Sequence, residues 1–429
     1  MSNPFPDRDA IATSQLEQLR LLLAAVLEGN DFYRRKYEGI DLADVNSLEQ
    51  FSELCPITEK SECVADQETN APFGTNLTFP LESYTRCHQT SGSTGKPLRW
   101  LDTNESWDWM LDNWGRVFEA AGVGTSDRIY FAFSFGPFLG FWTAFESALK
   151  IGSLCLPGGG LSSAARLRNI IEARATVLCC TPTYAIHLGH AAEREGIDLT
   201  HSAIKTIIVA GEPGGSLPSV RQTVSDLWNG ARMFDHHGMT EVGPVTYECP
   251  DNPGWLHVVE GSYLTEILDG EALNPVEPGN TGELFLTTLG RTGSPLIRYR
   301  TGDLVKAVLQ DRCSCGRCDL ALDGGILGRA DDMLVVRGVN IYPGAVDEIV
   351  RATGGIAEYQ VRVGAAGAMV ELELLIEVTD EADADGTAAR LAKAFENSLS
   401  LRVPVKAVEA NSLPRFEMKA KRWVRDGGE

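Results

Sequence analysis

Basic residues are few relative to acidic ones. The chain carries 38 Lys and Arg against 59 Asp and Glu, a formal net charge of −21. A nucleic-acid backbone and an anionic membrane both repel such a chain, so neither is its expected main partner. Long apolar runs are also missing: no stretch approaches the ~20 apolar residues that span a bilayer. Met1-Ser-Asn-Pro-Phe-Pro-Asp has neither the charged start nor the apolar centre of a signal peptide. There is no internal repeat and no long low-complexity tract. Cysteine is present, ten residues in all. In a long chain of this type the expectation is reduced thiols or metal ligands, not a disulfide frame, and a cytoplasmic location.

What is there reads as an ordinary folded chain. It has 429 residues, 43% of them hydrophobic, and domains of ~100–200 residues imply two or more folding units. Leu16, Leu19, Leu23 and Leu27 share one face of an opening helix over 14–27, with Ser14 as its cap. From about 105 to 250, apolar runs at 128–133, 176–180 and 206–210 alternate with helical patterns at 162–173 and 184–195. That alternation implies βαβ units and a mostly parallel sheet, with ligands expected beyond the carboxyl ends of the strands. After 255 the pattern becomes more antiparallel. Beyond residue 331 a compact α+β unit follows, with strands near 333–337, 359–363, 371–378 and 403–408 and helices near 345–352 and 388–399. The expected fold class is α/β, divided into residues 1–330 and residues 331–429.

The sharpest local feature is Thr90-Ser-Gly-Ser-Thr-Gly-Lys-Pro. Its glycines permit close backbone approach, and its hydroxyls and amides can donate to phosphate oxygens. Lys96 adds a positive charge. It is not a Walker A loop, because the earlier glycine is absent and Pro97 replaces the magnesium-binding Ser/Thr. A second constellation is Cys313-Ser-Cys-Gly-Arg-Cys318, with Cys249 and His257 upstream. That density of thiols and imidazole suggests a closed tetrahedral zinc site built from Cys249, His257, Cys313 and Cys315, with Cys318 as a substitute ligand.

Read with its flanks, the Ser91–Lys96 loop resembles the phosphate loop of the adenylate-forming enzymes. Further matches follow in order: His237-Gly-Met-Thr-Glu, Arg298-Tyr-Arg-Thr-Gly-Asp, Gly328-Arg-Ala-Asp-Asp-Met, and Lys419. The resemblance covers nearly the whole chain and is nearest to phenylacetate–CoA ligases and related aryl-CoA ligases. Asn30-Asp-Phe-Tyr-Arg, Arg86-Cys-His-Gln and Arg337-Gly-Val-Asn-Ile-Tyr-Pro carry that finer likeness.

The resemblance implies a large N-terminal adenylation domain and a small mobile C-terminal domain that turns about Asp331. It implies ATP, Mg²⁺ and coenzyme A as cofactors and an aromatic carboxylic acid as substrate. Ser91, Gly92, Ser93, Thr94, Gly95 and Lys96 would cradle phosphates. Gly211, Glu212 and Pro213 would lie along adenine. His237, Gly238 and Met239 belong to the same nucleotide site, His237 replacing the usual tyrosine. Thr240 would donate to the α-phosphate, and Glu241 would hold Mg²⁺. Asp303, with Arg329, would bind the ribose hydroxyls. Lys419 would be the catalytic cation, although Met418 replaces the usual glycine before it and Lys421 is a rival. Phe135, Phe138, Tyr184 and His236 would line the acyl pocket. A homodimer is common in that branch. An amine, a hydroxyl or a carrier-protein thiol is the alternative acceptor, and a nucleotide-binding relative without turnover is the alternative class.

Overall fold

The computed structural model describes residues 5–42, 45–90, 97–332, 334–336, 339–366, 369–379, 382–399, 401–415 and 422–425. The expected phosphate loop (Ser91–Lys96), Lys419 and Lys421 lie outside the described residues.

The opening helix runs Arg8–Gly29, longer at its start than the leucine spacing suggests. Asp7, not Ser14, caps it by accepting from the Ala10 N–H. Leu19, Leu22, Leu23 and Val26 are buried in the main core, whereas Leu27 is exposed. By length and composition this helix could cross a membrane. Its apolar side is instead spent on the protein interior, at roughly 1.5–3 kcal/mol for each fully buried large side chain. Gln15 Nε2 donates to the carbonyls of Glu260 and Tyr263 at 3.0 and 2.9 Å, tying the helix to the body.

The middle of the chain forms a five-stranded parallel sheet. Its order is Leu154–Pro157, Arg128–Phe131, Val177–Cys180, Thr206–Val209, Arg232–Asp235. Successive side chains alternate between faces. Phe131, Cys179, Ile208 and Phe234 enter one core, while Tyr130, Leu178, Ile207 and Met233 enter another. The sequence pattern misses Leu154–Pro157. This strand lies at the sheet edge and ends in a proline, the residue that edges tolerate.

Antiparallel sheets follow. Tyr263–Leu268, Thr281–Thr288, Tyr299–Lys306 and Gly328–Arg329 form one in that order. Thr246–Glu248, Trp255–Val258 and Ala321–Asp323 form another. The residues after 331 build a separate core around Val361, Leu374, Leu391 and Phe395. Their sheet is ordered Val405–Ala407, Met369–Val378, Ile356–Ala366, Trp423–Arg425. Helices Pro343–Thr353 and Ala384–Leu399 accompany it. Ser219 Oγ donates to Glu348 at 2.7 Å, joining helix Pro218–Leu227 to helix Pro343–Thr353.

Candidate active site

Three stretches distant in sequence meet at Asp303. The strand Tyr299–Lys306 carries it, and Gly302 before it has φ +78°. That left-handed conformation favours glycine, and a Cβ there would also sit 2.7 Å from Arg329 Nη2 and displace the guanidinium. Arg329 pairs in register with Asp303 and donates through Nη1 to Oδ1 at 3.2 Å. His237 approaches from the other side, its Nε2 3.0 Å from Oδ2. An ionised carboxylate only accepts, so Nε2 carries the hydrogen. Among the described residues, none hydrogen-bonds the buried His237 Nδ1. The structure thus brings Asp303, Arg329 and His237 together, with His237 edge-on to the carboxylate. Arg329 also donates to Asp331 at 2.8 and 3.1 Å, linking the expected ribose group to the expected hinge.

Thr240 and Glu241 form the tip of a tight hairpin in which Gly238 pairs with Pro244 and Met239 with Gly243. Arg291 holds the tip from beneath. Its guanidinium donates to the carbonyls of Thr240 and Glu241 at 2.9 and 2.7 Å. It also makes a two-pronged ion pair with Asp102 at 2.7 and 2.8 Å, and both side chains are fully buried. Sequence reasoning missed this support, because the partners are 189 residues apart. The buried Glu241 carboxylate meets Lys60 Nζ at 3.2 Å. Glu241 lies within electrostatic reach of the Tyr299 hydroxyl, as do Asp303 and Arg329. Burial first, then the Glu241 charge, pushes that phenol well above its ordinary range.

Gly211, Glu212 and Pro213 follow the carboxyl end of strand Thr206–Val209. Gly211 has φ +92°, and Glu212 accepts from the Thr183 N–H at 2.8 Å, close to the start of helix Pro182–Glu195. An acidic group is favourable at that end of a helix. His236, just past strand Arg232–Asp235, is buried against Trp114 with ring centroids 4.4 Å apart. Its Nδ1 is 2.6 Å from the Thr246 carbonyl and must donate to it. Burial pulls its pKa down to about 4. The neutral ring therefore offers an acceptor at Nε2, which suits a donor group better than a carboxylate.

The expected base of the phosphate loop is a hairpin, with Gln89 pairing Arg99 and the Thr90 N–H bonded to Leu98 O at 2.9 Å. Phe135 and Phe138 join one aromatic group. Phe135 contacts Trp142 and Phe145 edge-on at 5.0 and 5.2 Å, and Phe138 meets Phe141 at 6.3 Å. The structure separates Tyr184 from this group. Tyr184 belongs to the core on the opposite face of the parallel sheet, where its hydroxyl accepts from Arg166. Beside Trp142 is an open cavity of about 300 Å³ walled by Arg86, His88, Trp107, Pro137 and Glu146. His88, a residue without a role in the sequence reading, stacks on Trp107 there at 5.0 Å.

Cys249, His257, Cys313 and Cys315 form a separate cluster whose donor atoms all lie within 4.8 Å of one another. Cys249 and Cys313 Sγ are 3.5 Å apart, and Cys315 Sγ is 3.6 Å from His257 Nε2. His257 Nδ1 donates to the Asp319 carbonyl at 2.9 Å, which directs the Nε2 lone pair towards the thiols. Cys318 is buried but outside this group, and its carbonyl accepts from Arg8.

Comparison with known proteins agrees with this geometry. Residues 87–290 match the family described as AMP-binding enzyme, and residues 338–426 match the AMP-binding enzyme C-terminal domain. A phenylacetate-coenzyme A ligase of Thermus thermophilus is 32% identical, over 87% of this chain and 82% of its own length. One from Escherichia coli is 29% identical, over 96% of this chain and 94% of its own. A crystal structure of 2-hydroxyisobutyryl-CoA ligase in the postadenylation state superposes with TM-score 0.93 at 26% identity, covering 99% of this chain and 91% of that one. The same ligase in its thioesterification state superposes at only 0.73, so this structure resembles the first state. The chain belongs to the adenylate-forming AMP-binding enzymes, in the family of the phenylacetate–coenzyme A ligases.

Proposed function

We propose that the protein is an AMP-forming aryl acid–CoA ligase. It activates an aromatic carboxylate with ATP and passes the acyl group to coenzyme A. The observation that carries the nucleotide site is the meeting of His237, Asp303 and Arg329 beside the Glu241 hairpin tip. The named relatives carry the acid–thiol ligase assignment.

In the first half-reaction a carboxylate oxygen attacks the α-phosphorus of ATP, and pyrophosphate leaves. Two anions must approach one another, so fixed positive charge and donors lower the barrier. Asp303 and Arg329 hold the sugar, and Thr240 donates to the α-phosphate. Lys419 supplies the cation to the reacting oxygens, and Ser91–Lys96 surround the phosphates. Glu241 fits a magnesium ion, since it is a buried carboxylate already facing a cation. Bound there, Mg²⁺ neutralises phosphate charge. In the second half-reaction the thiol of coenzyme A displaces AMP. A rotation of residues 331–429 about Asp331 clears its path, which the two TM-scores against one ligase support.

Phe135 and Phe138 supply an aromatic wall for the acyl group, and neutral His236 accepts from a ring substituent. Tyr184, expected in the same pocket, packs in the core on the other face of the parallel sheet. The Cys249, His257, Cys313 and Cys315 cluster fits zinc. Thiolates on a tetrahedral ion at ~2.3 Å are separated by roughly 3.8 Å, close to the spacing of these sulfurs. Four protein ligands leave no open position, so the ion is structural. ATP and coenzyme A as cosubstrates support a cytoplasmic location.

The test is a panel of benzoates, phenylacetates and heteroaryl acids scored by pyrophosphate release. Release with an aryl acid, and none with short aliphatic acids, supports the reading. Release with no acid in the panel defeats it.

A further inference from the structure

Lys60 is absent from every motif in the sequence, yet it reaches the centre of the site. It begins helix Lys60–Thr69. The residues before it are fastened to the strand that carries Asp303. Thr58 N–H donates to Arg298 O at 2.9 Å, and Arg300 N–H donates to Thr58 O at 3.0 Å, forming a parallel bridge with Tyr299. Thr58 Oγ1 adds a bond to Ile297 O at 2.7 Å, and Glu59 pairs with Arg300 at 3.3 Å. The start of the helix is therefore fixed relative to Asp303. From there the Lys60 ammonium extends to Glu241 Oε1 at 3.2 Å.

The two partners differ in exposure. The Lys60 side chain is 47% exposed and that of Glu241 is 8% exposed. An ion pair with one exposed member contributes little to folding, so stability does not explain its placement. Its half-exposed ammonium instead faces Glu241, the carboxylate assigned above to the metal that accompanies the nucleotide phosphates. Glu241 needs a positive neighbour, since a carboxylate in that setting repels a triphosphate. A magnesium ion taking that carboxylate would repel the ammonium. The flexible four-carbon stem lets Lys60 turn to the nearest anion, a phosphate oxygen.

We propose that Lys60 is a further phosphate-contacting residue of the adenylation half-reaction. It neutralises Glu241 before nucleotide binds and donates N–H bonds to the β- and γ-phosphate oxygens afterwards. When the substrate carboxylate forms its bond to the α-phosphorus, the bond from that phosphorus to the bridging oxygen breaks. The electron pair leaves with pyrophosphate, and Lys60 stabilises that charge without giving up a proton. The inference rests on the ligase reading above and adds a residue to it.

The test uses the full chain with Lys60→Met and Lys60→Arg, phenylacetate as the acid and synthetic phenylacetyl-AMP as the intermediate. Lys60→Met should slow acid-dependent ATP–pyrophosphate exchange by about 10²–10³-fold, the scale for removing one donor from a developing charge. It should weaken magnesium-free pyrophosphate binding, read by calorimetry, by at least ~10-fold. Thioester formation from phenylacetyl-AMP and coenzyme A should stay within about twofold of wild type, at an unchanged melting temperature. Lys60→Arg should recover part of the exchange. Wild-type exchange and pyrophosphate affinity in Lys60→Met would overturn the proposal, as would an equal fall in both half-reactions. Absence of exchange in the wild type with any aryl acid is a different result: the ligase reading itself then fails.

Discussion

His237 Nε2 and Asp303 Oδ2 lie 3.0 Å apart although 66 residues separate them in sequence. The contact fixes one carboxylate oxygen while Arg329 fixes the other. Asp303 is thus oriented before any ligand arrives, as a group binding two adjacent hydroxyls should be. Replacing Asp303 with Asn keeps the shape and removes the charge. Hydrogen bonds to charged groups contribute about 1.5–3 kcal/mol each, so ATP and AMP affinity should fall roughly 10–100-fold by calorimetry. Unchanged nucleotide affinity would remove Asp303 from the site.

The Arg291–Asp102 pair predicts a large stability effect remote from any ligand. Both side chains are fully buried, and Arg291 also holds the Thr240–Glu241 carbonyls. Arg291→Met strands Asp102 as an unpaired buried charge, at a cost of about 3–5 kcal/mol. Urea unfolding should read that loss. The double change Arg291→Met with Asp102→Leu should recover part of the stability without restoring adenylation, because the hairpin tip stays unsupported.

His236 makes stability depend on pH. Burial lowers its pKa from 6.5 to about 4, so the folded protein favours the neutral ring. Between these values the unfolded chain binds a proton that the folded chain excludes. The contribution is fully present above pH 6.5 and is lost as pH falls towards 4, up to about 3 kcal/mol in all. As pH falls across this window, the urea midpoint of wild type should drop relative to that of His236→Phe. Parallel curves would show that His236 titrates normally.

The thiol–imidazole cluster predicts one tightly held zinc ion per chain. Purified protein should release it to a strong chelator with a fall in melting temperature. Cys313→Ser should reproduce that fall, while Cys318→Ser, outside the cluster, should retain the ion. Equal zinc loss in both variants would contradict the ligand set.

Much of this architecture is written locally in the chain. Thr206-Ile-Ile-Val and Val177-Leu-Cys-Cys are short apolar runs flanked by helical patterns, and they form neighbouring parallel strands. The four zinc-type donors are legible because their chemistry is rare and dense. Long-range relationships are not: Arg291 reads as one more arginine until the fold sets it against Asp102, and Lys60 until it meets Glu241. Tyr184 illustrates a third limit. An aromatic residue after a strand is visible in sequence, but which face of the sheet it joins depends on the helix crossover, and it joins the face away from Phe135. The start of the first helix shifts for a local reason, because Asp7 offers a cap earlier than Ser14.

The most direct test of the central claim is a mass-resolved reaction of the protein with an accepted aryl acid and ATP, first without and then with coenzyme A. The account predicts enzyme-bound aryl-AMP and pyrophosphate in the first stage. In the second, free AMP and aryl-CoA should appear in equal amounts. Persistence of aryl-AMP, with the thiol of coenzyme A unconsumed, would contradict it.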